Sequence, residues 1–415
     1  YLYSFVNFEA KPAEVYAPAN FNLNRVASLL KRLDNPHERY ESVHIAGTKG
    51  KGSIAAMVES ILRTAGHKTG LFTSPHLQNF SERIQVARKM IPQDALANLV
   101  AELRPHIDAT HDITFYEIST VLALEWFARQ EVAIAVIEVG LGGRLDATNV
   151  ISPAVCAITP ISFDHTEILG DKIESITEEK AGIIKSGIPV IVAPQSAPAK
   201  SVLEEKANAV GAPLIDTSAE WAWSCNSRSA SGQQCMIWRT DHAQDKHTYH
   251  LPLIGNHQAE NATVAIALVE QLRGQGWFIH QDAIAQGIKT VKWSARCQVL
   301  PGQPPVMLDC AHNRASAKRL AETLQEYFPD VTPVLVFGTM RDKDLYGMLA
   351  ELLPNCSVAI MTSTCSPRAL PPDELVKAAG QHNCQTHSAT DLSSALMQGK
   401  HAASPNGIVV VTGSV

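Results

Sequence analysis

The chain has 415 residues, too many for one typical core, so two or three domains are expected. With 45% hydrophobic and 18% charged residues it reads as globular, and a formal net charge of −6 argues against broad, non-specific nucleic-acid binding. No run approaches the ~20 apolar residues of a membrane span, and residues 1–9 are acidic and mixed rather than a signal peptide.

The chain opens on Tyr1, so a few preceding residues are expected in the natural protein. VHIAG (43–47) predicts a strand, and 53–65, apolar at Ile54, Met57, Val58, Ile61 and Leu62, a helix. Between them lies Gly47-Thr48-Lys49-Gly50-Lys51-Gly52-Ser53. Glycines let successive backbone N–H groups curl toward phosphate oxygens, and the helix start adds positive potential. Lys51 is placed to reach terminal phosphates and the Ser53 hydroxyl to bind Mg²⁺. The strict Walker A spacing fails, with Ile45 at the first glycine position and Gly52 separating Lys51 from Ser53.

A strand at 69–72, a helix at 113–130 and the apolar run VAIAVIEVG (132–140) follow. Such runs suit strands buried on both faces. Glu138 stands at the carboxyl end of that strand, where parallel sheets bind ligands, and could complete the coordination of a phosphate-bound Mg²⁺; a helix-capping or surface role is the plain alternative. AVCAITP (154–160) leads to Asp164-His165, and IPVIVAP (188–194) is a further strand. Between these, Glu178-Glu179-Lys180 reads from spacing alone as a solvated helix face.

Tryptophans and turn residues at 213–252 suggest a small antiparallel excursion, and 257–272 a helix. A second α/β series begins near 295, with strands at 306–309, 334–338, 357–361 and 407–412. The boundary is placed at 293–296, giving domains 1–293 and 294–415. The last residues directly follow a strand, so a short C-terminal piece is also expected. Eight cysteines, with no CxxC pair, predict neither zinc nor a redox motif, but reduced thiols and a cytoplasmic setting.

In combination and in order, AGTKGKGS, AVIEVGLGGRLDATNVI, ITPISFDHTEILG, EEKAGIIKSGIPVI, LPLIGNHQAENA, DCAHN and FGTMRDKD resemble the folylpolyglutamate synthase and dihydrofolate synthase family of Mur-type ligases. The resemblance runs from about residue 43 to 415. It implies a P-loop-containing, doubly wound parallel α/β domain with a small antiparallel excursion, followed by a Rossmann-like α/β domain. The implied reaction uses ATP to activate a pterin carboxylate as an acyl phosphate, which L-glutamate then captures as an amide. Reduced folate or dihydropteroate is the implied acceptor, with no nucleic-acid or membrane partner and a monomeric chain.

The resemblance places Lys51, Ser53, Ser74 and Glu138 near one Mg²⁺ and His165 near a second. It makes Lys180 a candidate for carbamylation and a metal ligand. It assigns the loop Gly47, Thr48, Lys49, Gly50, Lys51, Gly52 and Ser53, with Asn261, Arg296, Asp309 and His312, to ATP, and Arg83, Tyr116 and Asp146 to the folate. Departures are Lys49 for a frequent Asn, Ser294-Ala295 for Pro-Gly before Arg296, Cys310 for a common Gly, and Tyr116 for Phe. The alternatives are a Mur-type ligase with another carboxylate acceptor, and an ATP-binding or hydrolysing sensor without ligase activity.

Overall fold

The strands form three sheets, and apolar, β-branched runs supply the central strands of the two larger ones. The computed structural model describes residues 1–7, 22–364, 366–403 and 407–414. Cys365 and Val415 lie outside the described residues. The chain divides into two compact units. One comprises Tyr1–Ser224, Met236–Tyr249 and Glu260–Val291, the other Cys225–Cys235, His250–Ala259 and Lys292–Val415.

The first unit holds β1 (Glu41–Ala46), β2 (Thr69–Phe72), β3 (Ile84–Val86), β4 (Lys89–Met90), β5 (Ile134–Glu138), β6 (Val155–Ile158), β7 (Val190–Val192) and β8 (Leu214–Asp216). They form one sheet in the order β4-β3-β2-β5-β1-β6-β7-β8. From β2 through β8 every pairing is parallel, and β3 and β4 extend that edge antiparallel. Each residue of β5 is buried, as a central strand covered on both faces must be.

The helix Lys51–Thr64 buries Ile54, Met57, Val58, Ile61 and Leu62. Each such side chain contributes about 1.5–3 kcal/mol by leaving water. The helix Phe115–Arg129 begins with a capping box: Glu117 N donates to Thr114 Oγ1 at 3.2 Å, and Thr114 N to Glu117 Oε2 at 2.7 Å.

β9 (Trp221–Ser229), β10 (Gly232–Arg239) and β11 (His247–Leu251) form a three-stranded sheet with β10 in the middle. Two residues join β9 to β10, a hairpin connection. Here one expectation needs correcting. Cys225 and Cys235, on the two arms of that hairpin, are disulfide-bonded with Cα atoms 4.1 Å apart. Spacing alone did not reveal the pairing because it depends on the two strands folding back on each other, which a separation of ten residues does not announce. Among the described residues, Cys156, Cys297, Cys310, Cys356 and Cys384 are free thiols.

The second unit's sheet holds β12 (Gln298–Leu300), β13 (Val306–Leu308), β14 (Val334–Phe337), β15 (Val358–Met361), β16 (Gln385–Ser388) and β17 (Val409–Thr412). Its order is β12-β13-β17-β14-β15-β16, parallel except for β12. Among the described residues no helix is long and apolar enough to cross a membrane.

Candidate active site

Four neighbouring parallel strands of the first unit, β2, β5, β1 and β6, end on one edge, the position where open α/β sheets take ligands. Their register sets Phe72 beside Ile137, Ile45 beside Glu138 and Ala46 beside Ile158. The connections that follow therefore bring Ser74, Glu138, the glycine loop and the 159–165 segment side by side. Gly47 and Gly50 take φ of 138° and 91°. Thr159 fills the space a Cβ on Gly47 would need, and the Asn261 side chain fills that of Gly50. The loop is thus glycine for conformation and for close approach.

The loop's amides are used differently from the sequence expectation. Thr48 N and Lys49 N both donate to the Pro160 carbonyl, at 3.1 and 3.2 Å. Ser162 N donates to Thr48 Oγ1, and Thr48 Oγ1 to Ser162 O, each at 3.2 Å. Those two amides are committed to the neighbouring segment rather than turned to an anion. The first-turn N–H groups of Lys51, Gly52 and Ser53 remain, at a helix start whose Gly50 cap supplies no side-chain acceptor. A carbonyl from position 160 leaves no side-chain signal in a sequence, so this brace was not legible there.

Two lysines converge on one carbonyl. Lys51 Nζ donates to Gly47 O at 3.2 Å and Lys180 Nζ donates to the same atom at 3.1 Å. Lys180 is 4% exposed, which overturns the solvated-face reading of its helix, Ile173–Ala181. Burial, aided by the charges of Lys51 and Lys49 and opposed by Asp164 and Asp146, pushes its ammonium down from 10.5 to about 7. Glu138, 5% exposed, accepts from Ser74 N at 3.2 Å through Oε2, so these two residues meet. His165 lies farther out, with its side chain 44% exposed and Nε2 3.9 Å from Asp164 Oδ1.

Arg83 is buried beneath the rings of Phe80 and Phe115, 5.9 and 5.4 Å from its guanidinium carbon, and donates from Nε to His76 Nδ1 at 2.8 Å. Tyr116 follows Phe115, and its ring occupies the space a Cβ at Gly140 would need. Asp146 is buried and works on its own loop. Oδ2 accepts from Leu141 N at 2.9 Å, and Oδ1 accepts from Thr148 N and Thr148 Oγ1 at 3.0 and 2.5 Å. The Thr148 hydroxyl also meets His44 Nε2 at 2.8 Å. Burial raises the Asp146 carboxyl and lowers the His44 imidazole to about 3, so His44 is neutral and its Nε2–H donates to the hydroxyl. Sequence reading missed His44 and Thr148, which sit in unremarkable strand and loop contexts.

In the second unit, Asp309 follows β13. It accepts from Cys297 N at 2.9 Å and from Ala311 N at 2.8 Å. Burial raises its carboxyl, and the Arg296 charge opposes that shift. His312 Nδ1 lies 2.9 Å from Cys310 O. Arg296, Asp309, Cys310 and His312 therefore gather at the carboxyl edge of that sheet.

The Mur ligase middle domain matches residues 45–269, and the Mur ligase glutamate ligase domain matches residues 295–415. The chain belongs to the Mur ligase family. It is 33% identical over 400 residues to the dihydrofolate synthase/folylpolyglutamate synthase of Bacillus subtilis, covering 95% of this chain and 92% of that protein. A relative from Haloferax volcanii is 33% identical over 425 residues, all of this chain but 48% of its own length, so the chain spans about half of that protein. A folylpolyglutamate synthase of Mycobacterium tuberculosis, solved with ADP and AMPPCP, superposes with a TM-score of 0.86 at 34% identity, covering 95% of this chain and 93% of that one.

A Mur ligase fold implies a nucleotide and divalent cations, and the donor chemistry at the first unit's edge fits Mg²⁺. Hydroxyls from Ser53 and Ser74 and a carboxylate from Glu138 are hard oxygen donors. Among the described residues no three His, Cys, Asp or Glu side chains cluster to hold a metal by themselves. Such an ion would share its coordination with phosphate and water, as Mg²⁺ in nucleotide sites does.

Proposed function

We propose that the chain is an ATP-dependent ligase that joins L-glutamate to a folate through an acyl phosphate, with reduced folate or dihydropteroate as acceptor. The observation that carries this reading is the meeting of Lys51 and Lys180 on the Gly47 carbonyl, beside the buried Glu138. Two ammonium groups sharing one neutral acceptor repel each other, which favours loss of the Lys180 proton and leaves Lys51 as the cation for an arriving triphosphate. Mg²⁺, when bound with the nucleotide, offsets the charge of phosphates and carboxylate as they approach.

The chain's own residues do the remaining work. The helix start at Lys51 turns its first-turn N–H groups to the phosphates, and Lys51 Nζ moves from Gly47 O to a phosphate oxygen. Ser53, Ser74 and Glu138 are assigned to the first Mg²⁺ and His165 to a second. Lys180, with an ammonium near neutrality in its acidity, exposes an amine to CO₂; N–C bond formation releases one proton and leaves a carbamate, a carboxylate-like metal ligand. Asn261 is assigned to the nucleotide, as are Arg296, Asp309 and His312. Arg83 and the Tyr116 ring are assigned to the folate. Asp146 serves it by fixing the 141–148 loop, because both its oxygens already accept from that loop.

The test is incubation of the purified chain with ATP, Mg²⁺ and radiolabelled glutamate, with dihydropteroate and tetrahydrofolate in separate reactions. Label is expected in folate product from at least one acceptor. ATP turnover indifferent to both acceptors and to glutamate would replace ligation with simple hydrolysis.

A further inference from the structure

The glycine loop read as the phosphate cradle carries a second cation, Lys49, whose partner is a carboxylate. Lys49 Nζ donates to Asp164 Oδ2 at 3.0 Å, and the two side chains are 26% and 12% exposed. This pair is more enclosed than an ordinary surface ion pair, so its charges are less screened and each is costly to leave alone. It also closes a ladder of contacts between the loop and the segment after β6. Pro160 O holds the amides of Thr48 and Lys49, Ser162 exchanges hydrogen bonds with Thr48, and Asp164 holds the Lys49 ammonium.

We propose that Asp164 is a positioning residue that sets the effective charge of Lys49 and thereby weakens the loop's hold on nucleotide. A phosphate arriving at the loop has to share that ammonium with a fixed carboxylate, and the carboxylate itself repels the phosphate. Lys51 donates to the neutral Gly47 carbonyl instead, a group it leaves at little electrostatic cost. The loop's two lysines therefore differ in kind: Lys51 bonds a neutral carbonyl, and Lys49 bonds a carboxylate that partly neutralises it. The physical use of such tempering is turnover, since a loop with two unopposed cations would retain the product diphosphate. The second consequence is geometric: the ion pair ties the loop to the residue immediately before His165.

The proposal rests on the nucleotide reading of the loop, so its test is equilibrium binding of Mg²⁺–ADP by calorimetry rather than ligation. Asp164→Asn keeps the shape and leaves an amide oxygen to accept from Lys49, while removing the negative charge. It is expected to bind ADP about tenfold tighter than the native chain. Lys49→Met is expected to bind more weakly. Adding Asp164→Asn to Lys49→Met is expected to recover part of that loss, because the orphaned carboxylate no longer faces the phosphates. A merely structural role for Asp164 predicts the opposite sign, weaker binding in each Asp164 variant.

Equal or weaker ADP binding by a folded Asp164→Asn chain overturns the proposal while leaving the ligase reading intact. Absence of ADP binding by the native chain overturns both. Should Asp164→Asn fail to fold, Asp164→Ser together with the Lys49→Met comparison applies the same test of sign.

Discussion

A lysine taken out of water must gain a counter-charge or become easier to deprotonate, and Lys180 meets a carbonyl rather than a carboxylate. Its ammonium stands at about 7, against 10.5 in the unfolded chain. Between those values the unfolded chain holds a proton that the folded chain lacks, so folding stability should rise with pH across that window. Lys180→Met keeps the apolar stem and removes the titration. Urea midpoints measured from pH 7 to 10 in carbon-dioxide-free buffer should climb less steeply for the variant than for the native chain. Equal slopes would mean that Lys180 titrates as an ordinary surface lysine. The same substitution should abolish glutamate incorporation while leaving the protein folded. The pattern Glu178-Glu179-Lys180 gave no hint of burial, because a helix's charged residues show which faces they could occupy and not which one a neighbouring loop covers.

That covering loop, 140–146, carries three glycines and meets the end of the Lys180 helix around Gly182. The backbone of one lies against the backbone of the other. Arg144 N donates to Glu179 O at 2.7 Å, and Asn149 Nδ2 donates to both Arg144 O and Gly182 O, at 3.0 and 3.2 Å. A Cβ at Gly182 would collide with the Arg144 backbone, and one at Gly143 would press on the carbonyls of Glu179 and Lys180. Gly182→Ala should therefore cost about 1–3 kcal/mol of stability, as overpacking does, and displace Lys180 enough to depress ligation. Urea denaturation with a parallel glutamate-incorporation assay checks both. An unchanged midpoint would show that the two loops separate freely. Glycine at these positions was visible in the sequence, but which segment each glycine admits was not. Long apolar strands such as β5 were equally visible, whereas β4, only Lys89–Met90, and the exposed polar β16 carry too little pattern to be seen.

Each of the two units encloses its own apolar core. In the first, Phe72, Phe115 and Phe127 pack with Leu29, Leu30 and Ile137. In the second, Phe337 packs with Met307, Leu335, Met348, Met361 and Val410. The change from one α/β series to the next was readable from strands alternating with helical stripes, since that alternation reflects local periodicity. The hairpin disulfide and the strand orders were not, because they depend on which distant segments pair. Separate cores make a specific expectation about cooperativity, for chains with more than one core often depart from two-state unfolding. Phe337 is fully buried, and Phe337→Ala should remove about 3–5 kcal/mol from the core that contains it. Hydrogen exchange followed by mass spectrometry should then show faster exchange in β14, β15 and β17, with the amides of β1 and β5 retaining native protection. Protection lost equally in both sets would mean that the chain unfolds as one cooperative body, and that truncating one core destabilises every strand alike.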